Sequence, residues 1–495
     1  MRFFIPGRNG CSSSGCVWVL AFLAAVGAVR ADEMADAIRL EAELAQRLGG
    51  VTVGTEGAGF SGTGYATGFK SEGDRIVWAF SSKAGIYDLT VRYRSAEKGV
   101  QLVLNGDVLS VQLRDSSGAF AEQRLGKVAL RDGENTLSIH GGWFYYEIDQ
   151  VELAPAAIPE CLAKPPAIPC DPQAIPAVHA LLGYLVDHYG ERTLSGALDG
   201  PDVDYLREVT GQLPAIVAAD MADLTTASIR NQGIVAGQTE RMIARAREGH
   251  ILTYFWHWRS PSGLVDKMIV GADGKQTDAR WYKGFYTFAS TFDVEKALAD
   301  PASADYLLLL ADIDMVAAEM RKFADRDIPI LWRPLHESEG RWFWWGVKGP
   351  QTFIKLWRLV YERFTQRYGL HNLLWVYTGT GNPEWYPGDD VVDIVGIDAY
   401  PADVRDPLSA TWDDAYATFA GKKLLALAEF GGVPDLEPAR RFGVKWSYFA
   451  SWTDDLGPKK MERETLKRLY ANPRLLHHAE LPKDRWVPKP ESAVR

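Results

Sequence analysis

Cysteine is scarce in this sequence, with four in 495 residues. Cys11 and Cys16 lie in an N-terminal stretch that has the features of a removable leader, which leaves Cys161 and Cys170 as one pair. Two cysteines with no histidine close by provide too few ligands for a structural zinc site. In an oxidising compartment the pair can close a small loop, so we expect a Cys161–Cys170 disulfide, with two free thiols as the alternative.

Clusters of lysine and arginine interleaved with aromatic residues are also lacking. The formal net charge is −10 and the sequence pI is about 5.5. A protein of this charge is not expected to bind nucleic acid, because recognition of a phosphate backbone needs a basic surface. A neutral substrate fits this composition, and we expect a monomer with no nucleic-acid partner.

Long apolar runs are restricted to the N-terminus. Residues 17–29 form an apolar run that follows Arg2 and Arg8 and ends at Val29-Arg30-Ala31, a small-residue cleavage site. The run is short for a transmembrane span, which needs about 20 residues. The pattern predicts a signal peptide over residues 1–31 and a secreted or periplasmic protein with no membrane segment after cleavage.

The sequence has no repeats at the periods of solenoids or propellers. We therefore place the domain boundaries where the sequence pattern changes. Its length allows two or three domains. Residues 32–154 contain short alternating runs separated by turn signals such as Asn105-Gly106 and Asp132-Gly133, with no helix-length periodicity between them. This pattern predicts a separate all-β domain, an antiparallel sandwich of the jelly-roll kind.

Residues 155–176 are predicted to form a semi-rigid linker. The stretch 154–176 contains seven prolines and almost no periodicity, which is typical of a spacer between domains. We expect it to hold few contacts with either neighbour. The two flanking domains should then be separable, and a fragment that begins near Gln173 should keep the activity of the C-terminal domain.

Residues 177–485 alternate between apolar, strand-like runs and helix-like stretches. This alternation indicates parallel pairing, and eight such runs indicate a (β/α)8 barrel, whose active residues lie at the C-terminal ends of the strands. The runs are residues 193–197, 215–220, 251–257, 330–337, 373–379, 394–400, 424–430 and 446–452.

Two carboxylic acids lie at predicted strand ends, Glu337 in the fourth run and Glu429 in the seventh. Glycoside hydrolysis needs one carboxyl group to protonate the departing oxygen and a second one beside the anomeric carbon. Strands four and seven lie across the axis of an eight-stranded barrel, so the two residues can form such a pair. The 17 Trp and 20 Tyr of the chain suit stacking on sugar rings.

Residues 330–346 carry the most specific motif. Their sequence is Ile-Leu-Trp-Arg-Pro-Leu-His-Glu-Ser-Glu-Gly-Arg-Trp-Phe-Trp-Trp-Gly. An imidazole beside a carboxyl group, walled by indoles, is an environment that raises the pKa of Glu337 by desolvation. The motif resembles the acid/base segment of glycoside hydrolase family 26, the retaining β-mannanases, which has the pattern Trp-Arg-Pro-x-His-Glu-x-x-Gly-x-Trp-Phe-Trp-Trp-Gly. The alternative for Arg333 is a core residue that pairs with Glu337 or Glu339.

This resemblance covers about residues 178–480 and implies a role for each matching residue. Glu337 is the implied acid/base, Glu429 the nucleophile and Tyr400 the residue that orients the nucleophile. Substrate contacts are implied for His257, His336, Trp342 and Trp452. The resemblance as a whole implies a retaining endo-β-1,4-mannanase that needs no cofactor for catalysis.

Other activities are open on the same scaffold, because a fold alone does not select a substrate. They are an exo-acting mannobiohydrolase, a β-1,3-xylanase and a mixed-linkage glucanase. A non-catalytic polysaccharide-binding protein would be favoured by the loss of a carboxylate, but both carboxylates are present. The insertion at residues 260–293 is rich in aromatic residues and could close one end of the cleft or supply further subsites.

The N-terminal domain resembles carbohydrate-binding module family 35 in three segments, namely residues 40–43, 61–65 and 142–149. In that family paired glutamates and a late aspartate hold a structural calcium. The resemblance therefore implies calcium ligands at Glu41, Glu43 and Asp149, which are hard oxygen donors; solvated strand-edge charges are the alternative. Trp143 is the best candidate for a sugar-binding platform, Tyr65 and Tyr145 are weaker candidates, and any of the three could instead belong to the core.

Overall fold

The computed structural model describes residues 37–232, 237–271, 274–482, 484–486 and 488. The predicted signal peptide, residues 1–31, lies outside the described residues. No helix in the described part of the chain is both long enough and apolar enough to cross a membrane.

The first domain is a sandwich of two antiparallel sheets. Its strands are β1 (Ile38–Glu41), β2 (Gln46–Leu48), β3 (Thr52–Gly54), β4 (Tyr65–Thr67), β5 (Arg75–Ser82), β6 (Gly85–Arg94), β7 (Lys98–Leu104), β8 (Asp107–Leu113), β9 (Ala121–Leu130), β10 (Gly133–His140) and β11 (Glu147–Pro155). One sheet has the order β3-β4-β11-β6-β9, with β1 also paired to β11, and the other has the order β2-β5-β10-β7-β8. Along β6 every second side chain is buried, as period-two patterning requires. The predicted sandwich is confirmed.

The predicted Asn105-Gly106 turn joins β7 to β8. Leu104 pairs with Asp107, and both residues between them have positive φ, 54° and 96°. A two-residue turn of this kind matches the twist of the flanking strands, and Asn and Gly adopt its left-handed conformation at low cost.

The second domain is a closed barrel of eight parallel strands with helices between them. The strands after the linker are β12 (Thr193–Leu194), β13 (Gly196–Leu198), β14 (Ile216–Asp220), β15 (Ile251–Phe255), β16 (Lys267–Val270), β17 (Gln276–Ala279), β18 (Ile330–Arg333), β19 (Leu373–Thr378), β20 (Ile394–Ala399), β21 (Leu424–Phe430), β22 (Phe449–Ser451) and β23 (Leu475–Leu476). The barrel order is β13-β14-β15-β18-β19-β20-β21-β22. The predicted (β/α)8 barrel is confirmed, because each predicted run overlaps one barrel strand.

Helices follow most of the barrel strands. They are α1 (Pro176–His188), α2 (Pro201–Thr210), α3 (Thr226–Asn231), α4 (Gln238–Glu248), α5 (Val294–Ala299), α6 (Ala304–Ala324), α7 (Pro350–Glu362), α8 (Ser409–Phe419), α9 (Leu436–Arg441) and α10 (Arg463–Tyr470). Proline occupies the first turn of α1, α2 and α7, where its missing N–H costs no hydrogen bond.

Two strand ends differ from the sequence prediction. The first barrel strand begins at Gly196, because Thr193 and Leu194 pair with β23 instead. The fourth barrel strand, β18, ends at Arg333. Pro334 follows and has no N–H to continue the ladder, so His336 and Glu337 lie in the loop after the strand.

The proline-rich linker contacts the barrel, contrary to the expectation of few contacts. The N–H of Cys170 donates to Asp393 Oδ1 at 2.6 Å, and the N–H of Ile175 donates to the carbonyl of His371 at 2.9 Å. The ring of His371 also lies 2.7 Å from Asp171 Oδ2. The C-terminal half of the linker is therefore a part of the barrel surface.

The predicted disulfide is wrong. Cys161 and Cys170 are both free. The thiol of Cys170 lies 3.3 Å from Asp393 Oδ2, whereas Cys161 is exposed. Burial raises the pKa of the Cys170 thiol well above its ordinary value, so this thiol is a protonated donor to Asp393. Cys170 thus has Asp393 of the barrel as its partner instead of Cys161. The spacing of the two cysteines in the sequence could not reveal this contact.

A barrel fragment that begins at Gln173 is expected to be less stable than one that begins at Ala157. The shorter fragment lacks the Cys170 N–H that donates to Asp393, which is buried. Leaving a buried acceptor short of a donor costs about 1–3 kcal/mol. Urea unfolding of the two fragments measures the difference, with circular dichroism as the check that both are folded at the start. Equal midpoints would show that the linker contributes nothing to the barrel.

The sandwich and the barrel belong to one compact unit and meet where β9 lies against the start of α8. Gly126 has φ of 107°, and a Cβ there would come within 2.6 Å of Ser409 Oγ, so glycine permits this approach. The N–H of Lys127 donates to Ser409 Oγ at 2.7 Å. Arg124 pairs with Asp413 at 3.2 Å, and the Lys127 ammonium pairs with the same carboxylate. The two domains therefore share a specific polar interface.

Candidate active site

The predicted acid pair lies at the C-terminal end of the barrel. Glu429 is the penultimate residue of β21, the seventh barrel strand, and Glu337 lies in the loop after β18, the fourth. The pairing of β20 with β21 shifts by one residue between Ile397 and Asp398, which places Asp398 opposite Glu429. An irregularity of this kind re-aims side chains at a strand end, and here it brings two carboxylates within reach of one cation.

That cation is Arg333, the last residue of β18. Its guanidinium is buried, with Nη1 2.6 Å from Asp398 Oδ2 and Nη2 2.5 Å from Glu429 Oε2. The Tyr400 hydroxyl donates to the other oxygen of Glu429. Burial and the charge of Glu429 raise the pKa of Tyr400, so this phenol keeps its proton. Both oxygens of Glu429 are therefore fixed by donors, which orients the carboxylate.

Glu337 has a different environment. Its backbone is left-handed, with φ of 54°, an unusual conformation for a residue with a side chain. The Trp342 indole Nε1–H donates to Glu337 Oε2 at 2.8 Å. Burial, and then the charge of Glu429, raise the pKa of Glu337. The prediction that desolvation raises this pKa agrees with the direction found, and a carboxyl group of this kind can hold a proton for a leaving group.

A row of hydrogen-bonding groups lies beside the acid. Asp220 Oδ2 is 2.8 Å from His257 Nδ1, and His257 Nε2 is 3.3 Å from His336 Nε2. With Nδ1 of His257 donating to Asp220, its Nε2 accepts the proton of His336 Nε2. Burial and the charge of Arg333 lower the pKa of His336 well below its usual value, so this ring is neutral. Its Nδ1 is then a bare acceptor and finds no partner among the described residues.

The four aromatic residues at 342–345 do not share one role. Residues 343–345 are buried, and the Trp345 indole donates to the carbonyl of His336 at 2.8 Å, which fixes the backbone next to Glu337. Trp342 is 46% exposed. Of the four rings, therefore, only Trp342 offers a large accessible face for a sugar, and the others hold the loop in shape.

Trp452 lies on the same floor of the cleft as His257. Its ring centroid is 5.5 Å from that of Phe255 and 6.0 Å from that of His257. The N–H of Trp452 donates to the carbonyl of Phe430, next to Glu429. The structure thus brings together the four barrel residues predicted to contact substrate and Tyr400, which was predicted to orient the nucleophile. The four are His257, His336, Trp342 and Trp452.

The insertion at residues 260–293 borders this site. Its hairpin, β16 and β17, is followed by a segment that runs along the acid loop. The N–H of Trp344 donates to the carbonyl of Phe285 at 3.1 Å, and the N–H of Thr287 donates to the carbonyl of Trp342 at 2.8 Å. The Phe285 ring also contacts His257, at 4.7 Å between centroids. The insertion therefore builds one wall of the cleft.

The predicted sugar platforms of the sandwich separate into two classes. Tyr65 is buried at 4% exposure, and its hydroxyl accepts from Arg94, so it belongs to the core. Trp143 is 62% exposed and Tyr145 is 69% exposed. The backbone N–H of Trp143 donates to the carbonyl of Gly99 at 2.9 Å, which holds the backbone at this position. An exposed indole is suited to stacking on a sugar.

The three predicted calcium ligands surround one loop. Glu41 accepts from Ser61 Oγ at 2.7 Å, and Asp149 accepts from the N–H of the same serine at 3.0 Å. Asp149 also pairs with Arg92, at 2.8 Å. Within the described ranges, no cluster of three or more His, Cys, Asp or Glu residues is arranged to hold a metal. The Oε2 atom of Glu43 is nevertheless buried without a hydrogen-bond partner, so this carboxylate has an oxygen available for a hard cation.

Sequence reasoning missed the role of Arg333. It offered a pair with Glu337 or Glu339 only as the alternative to a functional motif, and the partners are Asp398 and Glu429. Glu339 instead accepts from the N–H of Thr380. The signal was present in the barrel topology, because Arg333, Asp398 and Glu429 are all at or near the C-terminal ends of their strands.

Replacing Trp342 with phenylalanine is expected to move the alkaline limb of the kcat/KM profile to higher pH. The indole N–H stabilises the ionised form of Glu337 and so lowers its pKa. Without that donor the carboxyl group keeps its proton to a higher pH, and the acid form required for catalysis persists. The control is Trp452→Phe, which replaces an indole of the same cleft with a smaller phenyl ring. That variant should change KM while the alkaline limb stays in place, and a limb that moves equally in both variants would contradict the assignment.

Comparison with known families and structures agrees with this geometry. The profile of glycosyl hydrolase family 26 matches residues 170–480, and that of carbohydrate binding module family 35 matches residues 38–156. A mannan endo-1,4-β-mannosidase of Thermothelomyces thermophilus is 36% identical over 431 residues, which are 86% of each chain. A mannan endo-1,4-β-mannosidase B of a Piromyces species is 29% identical over 88% of this chain and 76% of its own.

Two solved structures are similar to this chain. A GH26-CBM35 β-(1,4)-mannanase of Podospora anserina has a TM-score of 0.64 and 34% identity, over 91% of this chain and 99% of its own. A β-mannanase from a symbiotic protist of the termite Reticulitermes speratus, solved with a gluco-manno-oligosaccharide, has a TM-score of 0.55 and 25% identity. It covers 65% of this chain and 99% of its own. The first neighbour therefore spans both domains, and the second spans little more than the barrel.

Proposed function

Because the chain belongs to glycosyl hydrolase family 26 and carries a family 35 carbohydrate-binding module, we propose that it is a secreted endo-β-1,4-mannanase that acts with retention of configuration. The observation that carries the proposal is the pair of unlike carboxyl groups at one end of the barrel. Glu337 has a raised pKa, and Glu429 is oriented by Arg333 and Tyr400. The mannan-hydrolysing relatives support β-mannan, galactomannan or glucomannan as substrate.

The first step forms a glycosyl-enzyme. A carboxylate oxygen of Glu429 attacks the anomeric carbon while the carboxyl proton of Glu337 moves to the glycosidic oxygen, which leaves as a hydroxyl. Trp342 keeps the Glu337 side chain in place through its hydrogen bond. Arg333 and Tyr400 hold Glu429 in the orientation for attack, which is the positioning that intramolecular reactions exploit.

The second step releases the sugar. Glu337, now ionised, accepts a proton from water, and the water oxygen attacks the anomeric carbon and displaces Glu429. Two inversions at the same carbon return the β configuration. The pKa of Glu337 is raised before the first step, so the group holds the proton that it donates. In the intermediate Glu429 is no longer charged, which removes one of the causes that raise this pKa, so Glu337 can act as the ionised base in the second step.

Product analysis over time tests the proposed function. The substrates are β-mannan, galactomannan, glucomannan, β-1,3-xylan and mixed-linkage glucan, and the Glu429→Ala variant serves as the blank. A ladder of oligosaccharides from the mannans at early times supports endo action. One dominant dimer would mean a mannobiohydrolase, and faster release from xylan or glucan would replace the proposed substrate with one of those two.

The remaining features of the proposal concern the protein's surroundings. The predicted signal peptide supports export, so we place the enzyme outside the cell or in the periplasm. The acidic composition, with a net charge of −10, supports a neutral polysaccharide as the partner and argues against nucleic acid. We propose that the enzyme acts as a monomer, without a membrane anchor after signal cleavage.

We also propose that the N-terminal module binds calcium through Glu41, Glu43 and Asp149. The buried, unpartnered Oε2 of Glu43 supports this proposal, as does the position of Glu41 beside the same loop. Arg92 pairs with Asp149 and would have to release it. A cation at this place would fix the start of the chain to the last strand of the sandwich, which is a structural role.

Chelation is expected to lower the melting temperature of the module and to leave turnover of a small chromogenic mannoside unchanged. The combined variant Glu41→Gln, Glu43→Gln should lose this response to chelator, because it lacks two anionic ligands. Glu152→Gln is the matched control, since Glu152 pairs with Arg39 on the surface, and it should respond as the parent protein does. A parent protein whose melting is insensitive to chelator and to added calcium would contradict the proposal.

A further inference from the structure

A cavity of about 780 Å³ lies between the sandwich and the barrel. The sandwich wall comes from β7, β8 and the loop before β11, and the barrel wall comes from the loop after β20 and from α9. A volume of this size is typical of ligand sites that enclose a small molecule. The cavity is partly open to solvent, so a ligand can enter it from outside.

The cavity shares one lining residue with the catalytic centre. Tyr400, which donates to the nucleophile Glu429, is one of its lining residues and is 39% exposed. At the sandwich, Gly99 and Gly142 line the cavity. Both lie next to Trp143, since a Cβ on Gly99 would be 3.8 Å from the indole. The lining therefore includes the residue that orients the nucleophile on the barrel side and the glycines beside the exposed tryptophan on the module side.

The lining suits a neutral, hydroxyl-rich ligand. Val108 and Val111 supply apolar surface, and Gln101 supplies an amide. The lining also contains four aspartates and three cationic residues, so its formal charge is close to zero; Asp403 and Arg405 pair with each other at 2.6 Å. A sugar chain has small apolar faces and many hydroxyl groups, so it binds to a protein surface that has apolar areas and hydrogen-bonding groups. A strongly charged ligand would find no matching excess of charge here.

The two walls are held at a fixed distance. The close approach of Gly126 to Ser409, and the ion pairs of Arg124 and Lys127 with Asp413, join the sandwich to α8. Asp413 is mostly buried, at 18% side-chain exposure, and is shared by both cations. A cavity with rigid walls is preorganised, and binding then costs less ordering.

We propose that this cavity binds mannosyl residues of the chain under hydrolysis, beyond those at Glu337 and Glu429, so that module and barrel form one continuous substrate site. The proposal rests on the proposed endo-mannanase function. It assigns to the module a direct part in turnover of soluble chains, in addition to attachment to insoluble polymer.

The test uses the full-length protein and β-1,4-linked mannooligosaccharides of three to eight residues. Val108→Trp fills the cavity, since Val108 is 53% exposed on its wall. Val53→Trp is the matched control, because Val53 is 39% exposed on the other sheet and does not line the cavity. We expect kcat/KM of Val108→Trp to match the control on the shortest substrates and to fall about tenfold below it on the longest. Gln101→Ala should show the same dependence on length with a smaller loss.

Three results would overturn the inference. One is an equal kcat/KM for Val108→Trp and Val53→Trp at every length. Another is an equal loss at every length, which would mean damage to the catalytic centre through Tyr400. The third is a parent enzyme whose kcat/KM does not depend on length. Failure of the proposed function is distinguishable from all three, because in that case the parent protein hydrolyses none of the mannooligosaccharides.

Discussion

Replacement of Glu429 with alanine is expected to reduce kcat on the order of 10⁵-fold, whatever the leaving group of the substrate. Glu429 forms the covalent bond in the proposed mechanism, so the glycosyl-enzyme cannot form when its carboxylate is removed. Stopped assays with aryl mannosides of graded leaving-group pKa measure the effect.

Glu337→Ala should behave differently. It should lose most activity on substrates with poor leaving groups, and its activity should recover when azide attacks the glycosyl-enzyme without a general base.

The matched control is Glu384→Ala, which removes an exposed carboxylate from the loop after β19 and should leave kcat unchanged. In the parent enzyme a 2-fluoro mannosyl substrate with a good leaving group should label Glu429 covalently, as mass spectrometry of peptides would show. NMR of the first product should give the β anomer. An α anomer would mean inversion, and Glu429 would then have to be withdrawn as nucleophile.

The architecture of both domains could be predicted because it is encoded locally. Strands such as residues 424–430 are continuous apolar runs, which is the pattern of a strand buried on both faces. The position of Glu429 near the end of this run followed from the same local pattern, whereas Glu337 lies in the loop after the strand that was predicted to contain it. Barrel topology then placed the two residues together without any need for long-range information.

The parts that could not be predicted depend on contacts between distant segments. Cys170 has Asp393 as its partner across 223 positions of sequence, so the cysteine spacing was misleading. Tyr65 was a weaker candidate for a platform, with the core as its alternative, and its ring is buried in the sandwich while its hydroxyl accepts from Arg94. The linker was expected to make few contacts because it is rich in proline and has almost no periodicity. Its N–H groups nevertheless donate hydrogen bonds to acceptors on the barrel.

The partners of Arg333 show the same limit within the active site. An arginine next to two glutamates in sequence suggests a local pair. The strand directs it inward instead, where Asp398 and Glu429 are buried. Burial raises the pKa of Asp398 well above its usual value, and the charge of Arg333 opposes that rise. The catalytic carboxylate is thus part of a buried ionic group whose members depend on one another.

Replacement of Arg333 with methionine is expected to lower the free energy of unfolding at pH 7 by about 3–5 kcal/mol and to abolish turnover. The change leaves Asp398 and Glu429 buried with no cation between them. Each carboxylate then ionises less readily in the folded chain than in the unfolded chain. The free-energy cost of burying these charges is absent below the carboxyl pKa of the unfolded chain and complete above that of the folded variant. The stability difference between the variant and the parent protein should therefore shrink as the pH falls. Urea unfolding across the pH range measures it.

A double-mutant cycle separates lost charge pairing from lost packing. Arg333→Met combined with Asp398→Asn removes one of the two stranded charges, so the pair should be less destabilised than the sum of the single variants, by about 1–3 kcal/mol. Arg333→Lys is the control, because it keeps a cation but cannot reach both carboxylates with the planar fork of arginine. It should lie between the parent and the methionine variant in stability. Additive effects, or a methionine variant with a constant deficit at every pH, would show that Arg333 acts by packing against the Phe255 ring, 5.0 Å away, and that its charge does not hold Glu429.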